Sequence, residues 1–290
     1  MRISNLATLL PLLGALGTAG CSNSTSSDQG NNELISHSGS VSKIGVLSIR
    51  HGAGNVIDAH ATYDGVFAEF TQLASGITNE EFINIYRLPL DSCSIFNLPS
   101  DVLISPASSI TTYHFDSSLK GTPISAGEVI SVASAAGTWL DVLRNNEPSG
   151  GIYYVNSSEI VEPIPTQLSI TVPGDEYPAY SIDLVPSVEP LTLLAPNENA
   201  ILARDTQFRW LPVNRNDTYV RMTAQKLIGT NMFYLDCMAV DDGEFNIPEQ
   251  IQQELGTLFN DYTVSYSRVA YYLESNKDSA FLLMRSSGTN

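Results

Sequence analysis

Apolar and polar positions alternate along most of this chain in short runs broken by Gly, Pro, Asn and Asp, the period-two pattern of half-buried strands. It predicts strands at KIGVLSI (43–49), VIDAHATY (56–63), VFAEFT (66–71) and INIYRL (83–88), then at SITTYHF (109–115), EVISVAS (128–134), TWLDVLR (138–144), GIYYVN (151–156) and QLSITV (167–172). In QFRW, Phe208 and Trp210 face one way and Arg209 the other. In TYVRMTA, Val220, Met222 and Ala224 take the inward face; Tyr219, Arg221 and Thr223 take the outward one. Helical period is confined to PEQIQQELG (248–256), where Pro248 suits the first turn, Ile251 and Leu255 are spaced i and i+4, and Gly256 suits the exit. Many strands at close spacing with turn residues between them predict an all-β chain built of antiparallel β-sandwiches in tandem.

A different pattern opens the chain. Met1 and Arg2 precede an apolar run from Leu6 to Leu16, too short to span a membrane and followed by small residues. Residues 22–40, SNSTSSDQGNNELISHSGS, have no periodicity and too little apolar surface to offset the entropy of ordering. Between them lies Cys21. Leu16-Gly17-Thr18-Ala19-Gly20-Cys21 resembles the lipobox of bacterial lipoproteins, with Ala19, Gly20 and Cys21 matching the pattern. The resemblance implies that residues 1–20 are a cleaved signal, that Cys21 carries the acyl chains, and that 21–40 is a tether. One acyl chain binds a membrane only marginally, whereas the two or three of this family hold it stably. By the family's sorting rule, Ser22 in place of Asp directs the protein to the outer membrane of a Gram-negative envelope.

Pro186, Pro190 and Pro196 punctuate a connector, placing a domain boundary between 41–187 and 188–290. The second segment resembles an immunoglobulin-like or fibronectin type III sandwich. The resemblance rests on PLTLLAPNENAILARDTQFRWLPV, a Pro-rich entry, a first strand, a turn and a second strand with an inward Trp. Such a sandwich implies no function by itself.

The formal charge of −17 is spread over both segments, −11 in 41–187 and −5 in 188–290. Acidity of this extent repels phosphate backbones and argues against a nucleic-acid partner. Two cysteines remain beside Cys21. Cys93 shares a strand face with Ile95, and Cys237 with Phe233, Leu235 and Ala239. Both therefore point inward, and the domain boundary between them favours two buried thiols over an interdomain bridge.

Motifs for catalysis are sparse. G-x-S-x-G is absent, HGAG (51–54) reads as a turn, and the S-x-x-K matches at Ser40–Lys43 and Ser117–Lys120 lack the partner motifs of that chemistry. His51, Asp58 and His60 do not converge as the three or four ligands of a metal site would, and His114 reads as a strand residue. DDGE (241–244) and PGDEYP (173–178) supply oxygen ligands without calcium-loop spacing. Trp139 and the pairs Tyr153-Tyr154 and Tyr271-Tyr272 read as core before they read as a sugar platform. No catalytic residue, metal ligand or cofactor is assigned; the assigned site is Cys21. The expected function is a lipid-anchored, non-catalytic interaction or structural module of the envelope, its partner a protein or glycan. The alternative is a carbohydrate-binding or hydrolytic lipoprotein with its site in loops of the first domain.

Overall fold

A computed structural model describes residues 39–51, 65–99, 121–146, 152–156, 165–196, 206–255 and 263–288. The chain is all-β and sandwich-like. Strands β1 (Ser40–His51), β2 (Gly65–Thr78), β3 (Ser92–Pro99), β4 (Gly121–Pro123), β5 (Val129–Ser134), β6 (Gly137–Asn146), β7 (Ile152–Asn156), β8 (Gln167–Val172) and β9 (Tyr180–Pro186) precede the connector. After it come β10 (Leu193–Ala195), β11 (Gln207–Trp210), β12 (Thr218–Ile228), β13 (Asn231–Val240), β14 (Glu244–Asn246), β15 (Thr263–Ser275) and β16 (Ser279–Gly288). Helix α1 spans Asn79–Tyr86 and α2 spans Glu249–Leu255, the latter where the i, i+4 spacing places it. VIDAHATY and SITTYHF lie outside the described residues.

Thirteen strands form one sheet in the order β3-β13-β12-β15-β16-β1-β2-β7-β6-β5-β8-β9, with β4 paired to β2; β10-β11-β14 form a second. The large sheet folds back on itself. Its far strand returns over β16, where Tyr180 packs on Phe281 with ring centroids 5.8 Å apart and donates its hydroxyl to the Ser279 carbonyl at 2.9 Å. Enclosed there is a core of Leu47, Phe70, Ile130, Leu168, Ile170 and Phe281. Gly45 on β1 lets this closure happen, since a Cβ there would lie 2.6 Å from the Phe70 ring. The small sheet covers β12, β13 and β15 through a second core, of Phe208, Trp210, Val220, Met222, Leu235 and Tyr266.

A strand's alternate residues face opposite sides, so the opposite face of β1 and β16 needs its own cover. Val46, Leu282 and Met284 meet Phe82, Ile83 and Tyr86 of α1 in a third core. The strand expected at 83–88 is thus a helix over its first residues. Ile83 and Ile85 favour a strand locally, but a capping box overrides them: Glu81 N donates to Thr78 Oγ1 at 3.1 Å and Thr78 N to Glu81 Oε2 at 2.7 Å.

The first two cores each draw on both sides of the expected 187/188 boundary, Phe281 and Leu283 entering the first and Cys93 and Ile95 packing on the second, and the sheet does not break there. β1 pairs in parallel with β16, and β3 pairs antiparallel with β13, so the expected 187/188 boundary is crossed twice by hydrogen-bonded strands. The second crossing also corrects the expectation of two free thiols. Cys93 and Cys237 stand directly opposite each other in the β3–β13 register and form a disulfide. The inward orientation of each was legible; that both inward faces belong to one core was not. Non-reducing peptide mapping should therefore recover a 93–237 crosslinked peptide. Replacing both by Ser should cost about 2 to 5 kcal/mol, since the bridge closes a long loop in the unfolded chain. Alkylation of both thiols in unreduced, denatured protein would refute the pairing.

Candidate functional site

The connector is where the polar chemistry of the interior gathers. On β15, Arg268 is in phase with Val264, Tyr266 and Ala270; on β16, Arg285 is in phase with Phe281 and Leu283. Both guanidinium groups are therefore carried inside on core-facing positions, between the first two cores.

Arg268, 1% exposed, lies against Asp241, which follows β13. Its Nε donates to Asp241 Oδ2 at 2.6 Å, and the same carboxylate accepts from Trp210 Nε1 at 2.8 Å and Thr218 Oγ1 at 3.0 Å. The remaining guanidinium donors reach the carbonyls of Pro190 at 2.8 Å and Leu211 at 2.7 Å. A buried ion pair holds only when its leftover donors and lone pairs are also satisfied, as they are here.

Arg215, between β11 and β12, is clamped by Asp217 through Nε at 2.8 Å and Nη2 at 2.6 Å, and its Nη1 donates to the Ser187 carbonyl at 2.8 Å. The bidentate bond from Arg215 is the main cause of a depressed Asp217 pKa. Arg285 Nη1 donates to the carbonyls of Val185 at 3.1 Å and Pro186 at 2.6 Å. Burial lowers the Arg285 pKa to about 10. Three arginines from the C-terminal segment thus hold the carbonyls of Val185, Pro186, Ser187, Glu189 and Pro190. This anchoring makes the Pro-punctuated stretch a packed seam instead of a free linker.

On the opposite face of the large sheet, Arg221 forms a bidentate pair with the fully buried Asp236. Burial opposes the charge on Arg221, but Asp236 outweighs it and raises the pKa. Nearby, burial first and the Arg221 charge second lower Arg50 to about 10, and burial lifts Tyr271 to about 12. Arg50 Nε donates to Ser48 Oγ at 3.3 Å, and Arg87 lies 5.6 Å from the Tyr219 ring centroid. The carboxylates of Asp217, Asp236 and Asp241 each hold an arginine and are committed to the fold.

The residues singled out from sequence fare unevenly. Cys21, Asp58, His60, His114 and Ser117 lie outside the described residues, as does most of HGAG. His51 ends β1 and lines a small cavity with Arg285 and Trp139. Among the described residues, no three His, Cys, Asp or Glu side chains gather as metal ligands. In DDGE, Asp241 serves Arg268, and Gly243 supplies the positive φ of 106° that the turn requires. In PGDEYP, Glu176 accepts from Ser125 N at 2.9 Å and its own carbonyl accepts from Lys43 Nζ at 2.6 Å. Ser40 and Lys43 both sit on β1. Tyr154 and Tyr271 are buried, with hydroxyls bonded to the carbonyls of Gly127 at 2.7 Å and Tyr86 at 3.3 Å. Tyr272 and Trp139 pack against the first core.

Sequence reasoning passed over Arg215, Arg268 and Arg285. The last two carried a usable signal, a charged residue in phase with a core-facing row. No protein-family model matches the chain, and no curated protein or solved structure does either.

Proposed function

We propose that this protein is exported, anchored to the outer membrane of a Gram-negative envelope through acyl chains on Cys21, and acts there as a non-catalytic interaction or structural module. The observation that carries the reading is Leu16–Cys21, a lipobox-like run of small residues at the seam between an apolar leader and a polar, aperiodic segment. The Cys93–Cys237 disulfide supports export, because such bonds persist in oxidising compartments and are rare in the cytosol. A non-catalytic role is supported by the use of the paired carboxylates, each of which neutralises an arginine within the fold. Among the described residues, no helix is long and apolar enough to cross a membrane.

The test is Cys21→Ser in a Gram-negative host. It should abolish palmitate labelling and move the protein from the membrane pellet to the soluble fraction. Ser22→Asp should keep the label and shift the protein from outer- to inner-membrane density. A Cys21→Ser variant that still labels and pellets would end the proposal.

A further inference from the structure

The first and last strands of the described residues, β1 and β16, are neighbours and run the same way, paired from Lys43↔Ser279 to His51↔Ser287. The chain therefore enters β1 at Ser40 at one end of the pair and leaves β16 at Gly288 at the other, with nine register pairs between. At a rise of about 3.3 Å per residue, those pairs span roughly 30 Å. Both points are tied down. At the entry, Ser42 N and Lys43 N donate to the Asp278 carbonyl at 2.9 and 3.1 Å, Gln72 Nε2 donates to the Ser42 carbonyl at 3.0 Å, and Lys43 Nζ to the Glu176 carbonyl at 2.6 Å. At the exit, Leu191 N donates to the Gly288 carbonyl at 3.0 Å. Each strand has a second ladder on its other edge, β2 beside β1 and β15 beside β16, both antiparallel. Both faces of the pair are packed as well. Leu47, Phe281 and Leu283 enter the first core, whereas Val46, Leu282 and Met284 enter the third.

We propose that the β1–β16 pair is a shear clamp, by which the folded body carries tension between the tether entering at Ser40 and a load taken up at the Gly288 end, a role that rests on the anchoring read at Cys21. A pull on those two points is directed along the strands and in opposite senses. β1 has to slide along β16 and β2, and β16 along β1 and β15. A single ladder bond contributes little net stability, but in this geometry the bonds of each ladder are loaded together. Sliding also drags alternate side chains through two close-packed cores at once, where there is no slack. Strands drawn apart from one end open pair by pair instead. The parallel direction is what decides between the two. Had β16 run antiparallel to β1, entry and exit would share one end and the same pull would unzip them.

Single-molecule force spectroscopy on the full chain in detergent tests the clamp. One protein serves for two pulling geometries, so its stability is the same in both. It carries a handle fused at each end and Lys277→Cys, an exposed position between β15 and β16 at the Ser40 end. Cys21→Ser in the same chain removes the lipid and leaves residue 277 as the free thiol, since Cys93 and Cys237 are bridged. The protein is pulled either end to end or between its N-terminal handle and residue 277, at one loading rate. End-to-end pulling should need at least about twofold more force to unfold it, because forced unfolding follows the unfolding barrier rather than the equilibrium stability. Equal forces, or a lower force end to end, would overturn the clamp. The anchoring has its own test in palmitate labelling, and its failure would leave this force ratio as it is.

Discussion

Residues 188–290 expressed alone should give a chain without a cooperative melt, whereas residues 39–290 should unfold in one transition. In the shorter chain β16 loses β1, its parallel neighbour from Lys43↔Ser279 to His51↔Ser287, and β13 loses β3 together with the disulfide. Phe281, Leu282 and Leu283, all 0% exposed, would lose cores supplied largely by the missing strands and α1. Fully burying such side chains contributes about 1.5 to 3 kcal/mol each. Three of them account for much of the roughly 5 to 15 kcal/mol that holds a typical domain together. Near-ultraviolet circular dichroism and a thermal scan decide the matter. A sharp melt of the isolated segment, close to that of the longer chain, would show that the crossings contribute little.

Asp241→Ala should destabilise the full chain by about 3 to 5 kcal/mol, since it leaves a buried guanidinium without its counter-charge. The carboxylate has three partners, Arg268, Trp210 and Thr218, none of which has water within easy reach. For a folded region of this size the loss corresponds to a melting point lower by very roughly 6 to 20 °C. Trp210→Ala should cost a similar about 3 to 5 kcal/mol through its cavity. The two losses should fall short of additive, because both substitutions break the Trp210–Asp241 hydrogen bond. Arg209→Ala, between two inward residues but exposed itself, should stay within about 0.5 kcal/mol. Urea denaturation of the three single variants and the Trp210/Asp241 pair measures all of this. An Arg209 loss as large as that of Trp210 would mean the β11 register is wrong. A near-neutral Asp241→Ala would mean that Arg268 is held by carbonyls alone.

Side-chain alternation is a property of the strand itself, so sequence was enough to determine which residues of a strand share a face. Phe208 and Trp210 with Arg209 opposite, Val220 with Met222 and Ala224, and the inward Cys93 and Cys237 all stand as the period-two pattern has them. The pattern also determined the all-β class and the short helix before Gly256. Pairing partners are a different matter, because a strand exposes the same backbone donors and acceptors to any neighbour. Only the tertiary structure decided that β1 would lie against β16 and β3 against β13, which turned two thiols into one bridge and a presumed linker into a seam. Residues 79–86 became a helix because the capping box at Thr78 and Glu81 supports helix entry and the outer face of β1 and β16 needed covering. An arginine facing inward is legible from its phase. Whether it meets a carboxylate, as Arg268 does, or only carbonyls and a cavity, as Arg285 does, depends on residues brought from the far side of the connector.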